Sequence, residues 1–273
     1  MMRDITIGQY YPSGSLLHKL DPRVKLFGTT IFLIAVFSFR GIVGFTLVTV
    51  FLAGAIKLSK VPFSLLLRGL QALAVLMLIT ALFQIFLTAS PNIVWKWKFL
   101  HITQEGIASA VKMTIRLIYL VLGSSIMTLT TTPKALTDGL EKAFQPLEKL
   151  HVPVHDGAMM MAIALRFIPI LSEETDKIMR AQMARGADFE NGNLIKKAKA
   201  MIPLLVPLFV SAFRRANDLA VAMESRCFHG GEGRTKMKPL KYEKRDLIGY
   251  LVLVVFLAAV FILRTDGLFA GIL

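Results

Sequence analysis

Two arginines lie among small residues where long helical patterns end, and their chemistry suits specific binding. One is in Ala184-Arg185-Gly186 and the other in Ser225-Arg226-Cys227. Arginine carries a planar, permanently charged fork that matches a carboxylate, and small neighbours let another surface approach it closely. A cation at a helix C-terminus also offsets the helix dipole, by about 0.3–1 kcal/mol. The repetition at two helix ends favours paired docking points, with the dipole role as the alternative.

The sequence contains none of the common catalytic patterns. It has no G-x-x-x-x-G-K-[ST] loop for nucleotide phosphates, no H-E-x-x-H, no C-x-x-C and no G-x-S-x-G. His151 and His155 have the spacing of helical metal ligands, but Pro153 lies between them and no further ligand is near, which favours a capping or loop role. We therefore predict a protein that is not an enzyme and holds no metal ion or cofactor.

The composition indicates the class of protein that carries these arginines. Of the 273 residues, 55% are hydrophobic and 18% are charged, and the mean hydropathy is +0.60. These values exclude a disordered chain, a collagen-like fibre and an ordinary cytosolic enzyme, and they indicate an integral membrane protein. A bilayer core needs roughly 20 apolar residues in a helix. Five segments are predicted to span it, at about Val24–Phe39, Gly41–Ile56, Leu70–Leu87, Gly106–Thr131 and Leu247–Leu263.

The lysines and arginines predict the orientation of these spans. The net charge is +14, which in a membrane protein usually marks cytoplasmic loops and not nucleic-acid binding. Basic residues are frequent before the first span and after the second, and scarce in the turns on the other side. The frequent ones are Arg3, Lys19, Arg23, Lys25, Lys57, Lys60 and Arg68. The N-terminus is therefore predicted in the cytoplasm, and five spans then put the C-terminus outside.

Two basic residues lie inside a predicted span. Lys112 and Arg116 are four positions apart near the start of the fourth. Long basic side chains near a helix end commonly extend to the membrane interface. The alternative is a contact with a partner membrane protein.

The segment 132–245 differs from the rest because it holds most of the charged residues. We interpret it as a cytoplasmic domain of long helices, giving domains 1–131, 132–245 and 246–273. Its helices are predicted at about Pro133–Leu150, Asp156–Ala184 and Leu194–Arg226, with Thr132 as N-cap of the first. Gly186 stops the second, whereas Cys227 lacks that ability and the third helix is expected to continue towards Gly230. A seven-span alternative puts six basic residues in a short external loop, against the charge rule.

Several stretches together resemble a known family, the transmembrane T component of energy-coupling factor transporters. They are the run from Tyr11 to Lys25, Leu165-Arg166-Phe167-Ile168-Pro169 followed by Glu173-Glu174, the Ala184-Arg185-Gly186 end, and Ile202 to Arg226. The resemblance covers essentially the whole chain, including the division into spans and long helices.

The resemblance implies a coupling role in the bacterial cell membrane. In that family the T component joins two ABC-type ATPases to a substrate-binding membrane protein, the S component, for ATP-driven uptake of a vitamin or a metal ion. Two motifs at the ends of coupling helices dock into the ATPases. The matching residues here are Ala184, Arg185, Gly186, Ser225, Arg226 and Cys227. The second motif departs from the Ala-Arg-Gly pattern but keeps the arginine and its small neighbours.

Two other classes of protein compete with this interpretation. A self-contained channel or secondary transporter commonly carries inverted repeats and broken helices, and no internal repeat is visible. A membrane-embedded enzyme is disfavoured by the lack of a convincing catalytic group. Dependence of transport on partner ATPases separates the coupling role from both.

Overall fold

Most of the described chain is helical. The computed structural model describes residues 10–39, 41–88, 93–97, 100–189, 193–230, 237 and 239–265. Its α-helices are α1 (Pro22–Ser38), α2 (Ile42–Ser59), α3 (Phe63–Leu87), α4 (Gln104–Thr130), α5 (Pro133–Phe144), α6 (Val154–Ala184), α7 (Leu194–Glu224) and α8 (Lys244–Thr265). An antiparallel hairpin of β1 (Ile93–Trp97) and β2 (Leu100–Thr103) lies between α3 and α4, and a 3-10 helix (Gln145–Leu150) follows α5.

The described residues fall into two compact units. One takes the described residues of Leu140–Pro239, which include α6 and α7. The other takes those of Ile7–Gly139 and Leu240–Leu273, which include α1 to α4 and α8. We call the first the α6–α7 unit and the second the bundle unit.

The helices of the bundle unit alternate in direction. At one end of this unit, the Tyr11 amide donates to the Leu129 carbonyl at 2.9 Å. The Ser13 hydroxyl donates to the Ser59 carbonyl, also at 2.9 Å. The segment before α1 therefore touches the C-terminal ends of α2 and α4. The same segment meets the start of α8, so α1 and α8 run parallel to each other and antiparallel to α2 and α4.

The core of the bundle unit is small and apolar. Val36, Val48 and Leu66 are fully buried, and the rings of Phe51 and Phe256 stack with centroids 4.2 Å apart. Many other apolar side chains of α2, α3 and α8 are exposed. An outward-facing apolar surface of this extent is expected where lipid, not water, surrounds the helices.

The predicted fold class is confirmed: the chain is an all-α membrane protein with about five spans and long helices between the last two. Five described helices are long and apolar enough to cross a bilayer, namely α2, α3, α4, α6 and α8. Four of these match predicted spans. The predicted first span is α1, which has 17 residues. The fifth helix, α6, lies within the segment 132–245, which the charge pattern predicts to be a cytoplasmic domain.

The structure differs from the sequence-based description in three places. The helix predicted over Pro133–Leu150 divides at Phe144, because Pro146 has no N–H to continue the α-helical pattern, and a 3-10 helix follows. Helix α3 begins at Phe63 and not at Leu70, with Arg68 exposed on its extra turns. The hairpin β1–β2 was not predicted. By contrast, Thr132 caps α5 as expected, its hydroxyl accepting from the Ala135 amide at 3.2 Å.

Arg116 has a structural partner inside the bundle unit. Its guanidinium donates to the Phe39 carbonyl at 3.1 Å, where α1 ends. The last carbonyls of a helix lack intrahelical partners, so a basic side chain there satisfies one of them. This contact joins α4 to α1. The sequence had instead suggested that Arg116 extends to the membrane interface or contacts a partner membrane protein.

Candidate functional site

The first arginine motif ends α6 in a compact turn. Gly186 has a left-handed backbone, with φ +88°. Its amide donates to the Met183 carbonyl at 2.9 Å, and the Ala187 amide donates to the Gln182 carbonyl at 3.0 Å. This pair of bonds is the Schellman motif, which satisfies the final carbonyls of a helix and favours glycine at the left-handed position. Arg185 is thus held at the C-cap position, directly after α6, by the backbone itself.

The second arginine motif repeats this geometry without a glycine. Cys227 has φ +57°, its amide donates to the Glu224 carbonyl at 2.9 Å, and the Phe228 amide donates to the Met223 carbonyl at 3.1 Å. The expectation that the helix continues towards Gly230 is therefore wrong. Helix α7 ends at Glu224, and Cys227 takes the left-handed conformation, which costs a non-glycine residue about 1–2 kcal/mol. Both arginines consequently occupy the same place in the same hydrogen-bonded turn.

Relief of this backbone strain gives a first prediction. Cys227→Gly should raise the free energy of unfolding by about 1 kcal/mol, because glycine adopts a positive φ without a Cβ clash. The measurement is thermal unfolding of the purified protein in detergent. Cys227→Ser is the matched control, since it removes the thiol but keeps a Cβ, and it should give no such gain. An equal gain from both variants would attribute the effect to the thiol and contradict the strain argument.

Helices α6 and α7 form an antiparallel pair of equal length, 31 residues each. The Gln182 side chain donates to the Pro203 carbonyl at 3.3 Å, and Arg215 pairs with Glu174 at 2.9 Å. Going back along α6 from Gln182 to Glu174 therefore goes forward along α7 from Pro203 to Arg215, so the two helices run antiparallel. At 1.5 Å per residue, this register separates Arg185 from Arg226 by about 35 Å along the pair. The two motifs lie at opposite ends of the stretch in which the two helices overlap.

The contact between Gln182 and Pro203 compensates for a second proline. In an α-helix the Pro203 carbonyl would accept from the amide four residues later, but Pro207 has no N–H. The Gln182 amide group supplies the missing donor. A neighbouring side chain on α6 therefore supports α7 at the point where its own hydrogen bonding is interrupted.

The six predicted docking residues are accessible. Each is exposed: Ala184, Arg185, Gly186, Ser225, Arg226 and Cys227. Among the described residues, neither arginine forms an ion pair. Both guanidinium groups are thus exposed and have no ion-pair partner in the part of the chain that the structure describes.

The histidines considered as metal ligands have another arrangement. His155 Nδ1 lies 3.1 Å from Glu141 Oε1 within the α6–α7 unit, and His151 occupies a left-handed turn at φ +60°. In the part of the chain that the structure describes, no three histidine, cysteine, aspartate or glutamate side chains are grouped for a metal ion.

A second polar site joins helix starts in the bundle unit. Asp246 is 2% exposed. One of its oxygens accepts from the Asp21 amide at 2.7 Å and the other from the Glu243 amide at 2.8 Å. Asp21 in turn caps α1 and forms two side-chain bonds of 3.0 Å with Arg23. One carboxylate therefore holds the starts of α1 and α8 together.

Sequence reasoning missed the side chains that support these sites. Gln182, Glu174, Arg215 and Asp246 each act through a partner distant in the chain. The one available signal is the spacing of the two prolines in α7, because Pro207 predicts an unpaired carbonyl at Pro203. That signal indicates the need for a donor but does not identify Gln182.

The fold and these helix ends define a multi-pass α-helical membrane protein with paired, exposed arginine motifs. A family model described as CbiQ, cobalt transport protein, matches residues 13–237. The transmembrane protein EcfT of the energy-coupling factor transporter from Clostridium kluyveri is 52% identical over 256 residues, 93% of this chain and 95% of that protein. EcfT from Bacillus subtilis is 46% identical over 264 residues, 97% of this chain and all of that protein. The chain belongs to this family of energy-coupling factor transporter transmembrane components.

Proposed function

We propose that the chain is the membrane scaffold that couples two cytoplasmic ABC-type ATPases to a substrate-binding S component. In this role the chain does not hydrolyse ATP, which is the task of the partner ATPases. ATP binding and hydrolysis move the ATPases, and the docked ends of α6 and α7 carry that motion to the S component. The cargo is a vitamin or another micronutrient, selected by the S component.

The observation that carries this proposal is the repeated geometry of the two arginine motifs. Arg185 and Arg226 follow the same hydrogen-bonding pattern, at the ends of helices of equal length that run antiparallel. An antiparallel helix pair has an approximate two-fold axis between the helices, which relates one end to the other. Two similar subunits assembled around a two-fold axis present two similar grooves. A pair of related ATPases fits that arrangement, one on each motif.

The motifs favour an acidic groove on each ATPase. A guanidinium binds a carboxylate through two parallel hydrogen bonds, and it keeps its charge at any physiological pH. Small residues on either side, Ala184 and Gly186 in one motif and Ser225 and Cys227 in the other, leave room for the walls of a groove. The Schellman turns fix the backbone, so little freedom is lost on docking.

A separate surface of α7 suits the S component. Its exposed apolar side chains include Leu205, Val206, Phe209, Val210 and Phe213. Phe209 and Phe213 contact each other, with ring centroids 5.1 Å apart. Contiguous exposed apolar surface of this kind commonly marks a contact with a hydrophobic partner or a membrane. We assign it to the S component.

The proposed orientation has the N-terminus in the cytoplasm of a bacterial cell. In support, the segment before α1 and the end of α2 meet at Ser13 and Ser59. The basic residues beside those contacts, including Lys19, Lys57 and Lys60, therefore lie at one end of the bundle unit. Helix α6 remains assigned to the cytoplasmic domain 132–245, because Glu174 and Arg215 are partly exposed and ion pairs of this kind suit water better than hydrocarbon.

The test is a pull-down of the tagged full-length chain from native membranes in mild detergent, with mass spectrometry of the partners. We expect two P-loop ATPases and at least one small hydrophobic membrane protein, whose bound substrate identifies the cargo. Several different small proteins would indicate a scaffold shared among S components. A folded preparation without any ATPase would refute the proposal, and transport by the purified chain alone would favour the channel or secondary transporter.

A further inference from the structure

The bundle unit contains an apolar groove with a volume of about 490 Å³. Its walls come from α1, α2, α4 and α8, and the segment before α1 contributes Leu16, Leu17 and Leu20 to the lining. Phe32, Phe51, Met127 and Val252 are among the lining side chains. At Gly54 a Cβ would meet no atom within 4 Å, so the space beside this part of α2 is open.

The surroundings of the groove limit what can occupy it. Three of its four helices are long and apolar enough to span a bilayer, so its opening faces the region that lipid chains fill. Water binds poorly in such a groove because it needs two to four polar partners. An empty apolar groove loses the dispersion contacts of its lining atoms. A hydrocarbon chain restores those contacts and needs no hydrogen bonds.

One end of the groove is positively charged. Lys25 and Arg245 both line it. Two of the three Lys25 ammonium protons are donated to the His18 and Thr130 carbonyls, at 3.2 and 2.9 Å. Arg245 pairs with Glu243 and remains 43% exposed. Across 19–25 and 241–246 there are six basic and three acidic residues: Lys19, Arg23, Lys25, Lys241, Lys244 and Arg245 against Asp21, Glu243 and Asp246.

We propose that this groove binds one acyl chain of an anionic phospholipid, with the phosphate beside Arg245 and Lys25. The apolar walls accept the chain, and the excess of basic residues around Lys25 and Arg245 favours a headgroup with net negative charge. A zwitterionic headgroup of the same size has no net charge, so these basic residues attract it less strongly. The groove is thus a lipid site between spans, separate from the arginine motifs and independent of the proposed docking.

The test is native mass spectrometry of the full-length chain in mild detergent, titrated with phosphatidylglycerol or with phosphatidylcholine of identical acyl chains. We expect one tightly held phosphatidylglycerol and weaker binding of phosphatidylcholine. Arg245→Gln should reduce the preference for phosphatidylglycerol about fivefold, the contribution of one basic residue near a lipid surface. Lys244→Gln is the matched control: it removes one charge from the same end but not from the groove lining, so it should reduce the preference clearly less than Arg245→Gln does.

A second pair of variants tests the groove itself. Gly54→Phe fills the open space and should abolish retention of the lipid, whereas Ala53→Phe, on the adjacent position of the same helix and outside the groove, should retain it. Equal binding of the two lipids by the wild type, or equal losses from both Phe variants, would overturn the proposal. The proposal would also be overturned if the wild type bound neither lipid and Gly54→Phe prevented co-purification of the partner membrane protein. The groove would then be a binding site for that partner.

Discussion

Charge reversal at both helix ends, Arg185→Glu with Arg226→Glu, should release the ATPases and leave the chain folded in the membrane. Both side chains are exposed, so the substitutions disturb no described contact within the chain. The Schellman turns that shape the two motifs use backbone atoms only, and they persist with glutamate in place of arginine. The expected loss is therefore one of docking and not of folding.

The size of this effect follows from the loss of two desolvated charge pairs. Removing one partner of a buried, hydrogen-bonded charge pair at an interface costs about 2–5 kcal/mol. Two such losses give at least about 4 kcal/mol, roughly a thousandfold in the dissociation constant. Glutamate adds repulsion from the carboxylates of the proposed acidic grooves. Co-purification of the ATPases with the tagged chain measures the result.

The matched control reverses two other arginines on the same helices. Arg180→Glu with Arg214→Glu makes the same change in net charge at exposed positions outside the two motifs. This control should retain the ATPases. Normal co-purification from the Arg185→Glu, Arg226→Glu protein would reject the docking assignment, and an equal loss from the control would attribute the effect to overall charge.

Local patterns in the sequence predict the helix ends well where one residue decides them. Thr132 followed by Pro133 predicts the start of α5, and the structure has the expected cap. Gly186 predicts the end of α6 because glycine adopts a positive φ at little cost. Cys227 takes the same conformation against its own preference. Local propensity therefore failed at the second motif, where the surrounding turn determines the backbone.

Local sequence patterns could not predict the contacts between segments that are distant in the chain. The Asp21 amide and the Asp246 carboxylate are 225 positions apart, and neither neighbourhood indicates the other. The same holds for Glu174 and Arg215, whose pairing depends on the register of α6 against α7. Composition and span length predict that the helices exist. Which side chains pair between the helices depends on how the helices pack in three dimensions.

Asp246→Ala should be strongly destabilising, because one carboxylate satisfies two backbone donors at once. As the third residue of α8, Asp246 accepts from the Glu243 amide just before the helix, the backward half of a capping box. Its second oxygen accepts from the Asp21 amide before α1. Alanine leaves both N–H groups unpaired and leaves Arg23 and Lys25 balanced by Asp21 alone.

The expected loss is about 4 kcal/mol of unfolding free energy, since each bond to a charged acceptor contributes roughly 1.5–3 kcal/mol. Denaturation by SDS in mixed micelles measures it. Asp246→Asn is the matched control: it keeps the shape and one acceptor oxygen, and should lose about half as much. A loss below about 1 kcal/mol for Asp246→Ala would contradict the argument, because a polar group left unpaired in a buried site costs at least that amount. The junction of α1 and α8 would then depend on apolar packing alone. The two helices pack closely at Gly249, where an added Cβ would approach Val24 to 3.0 Å.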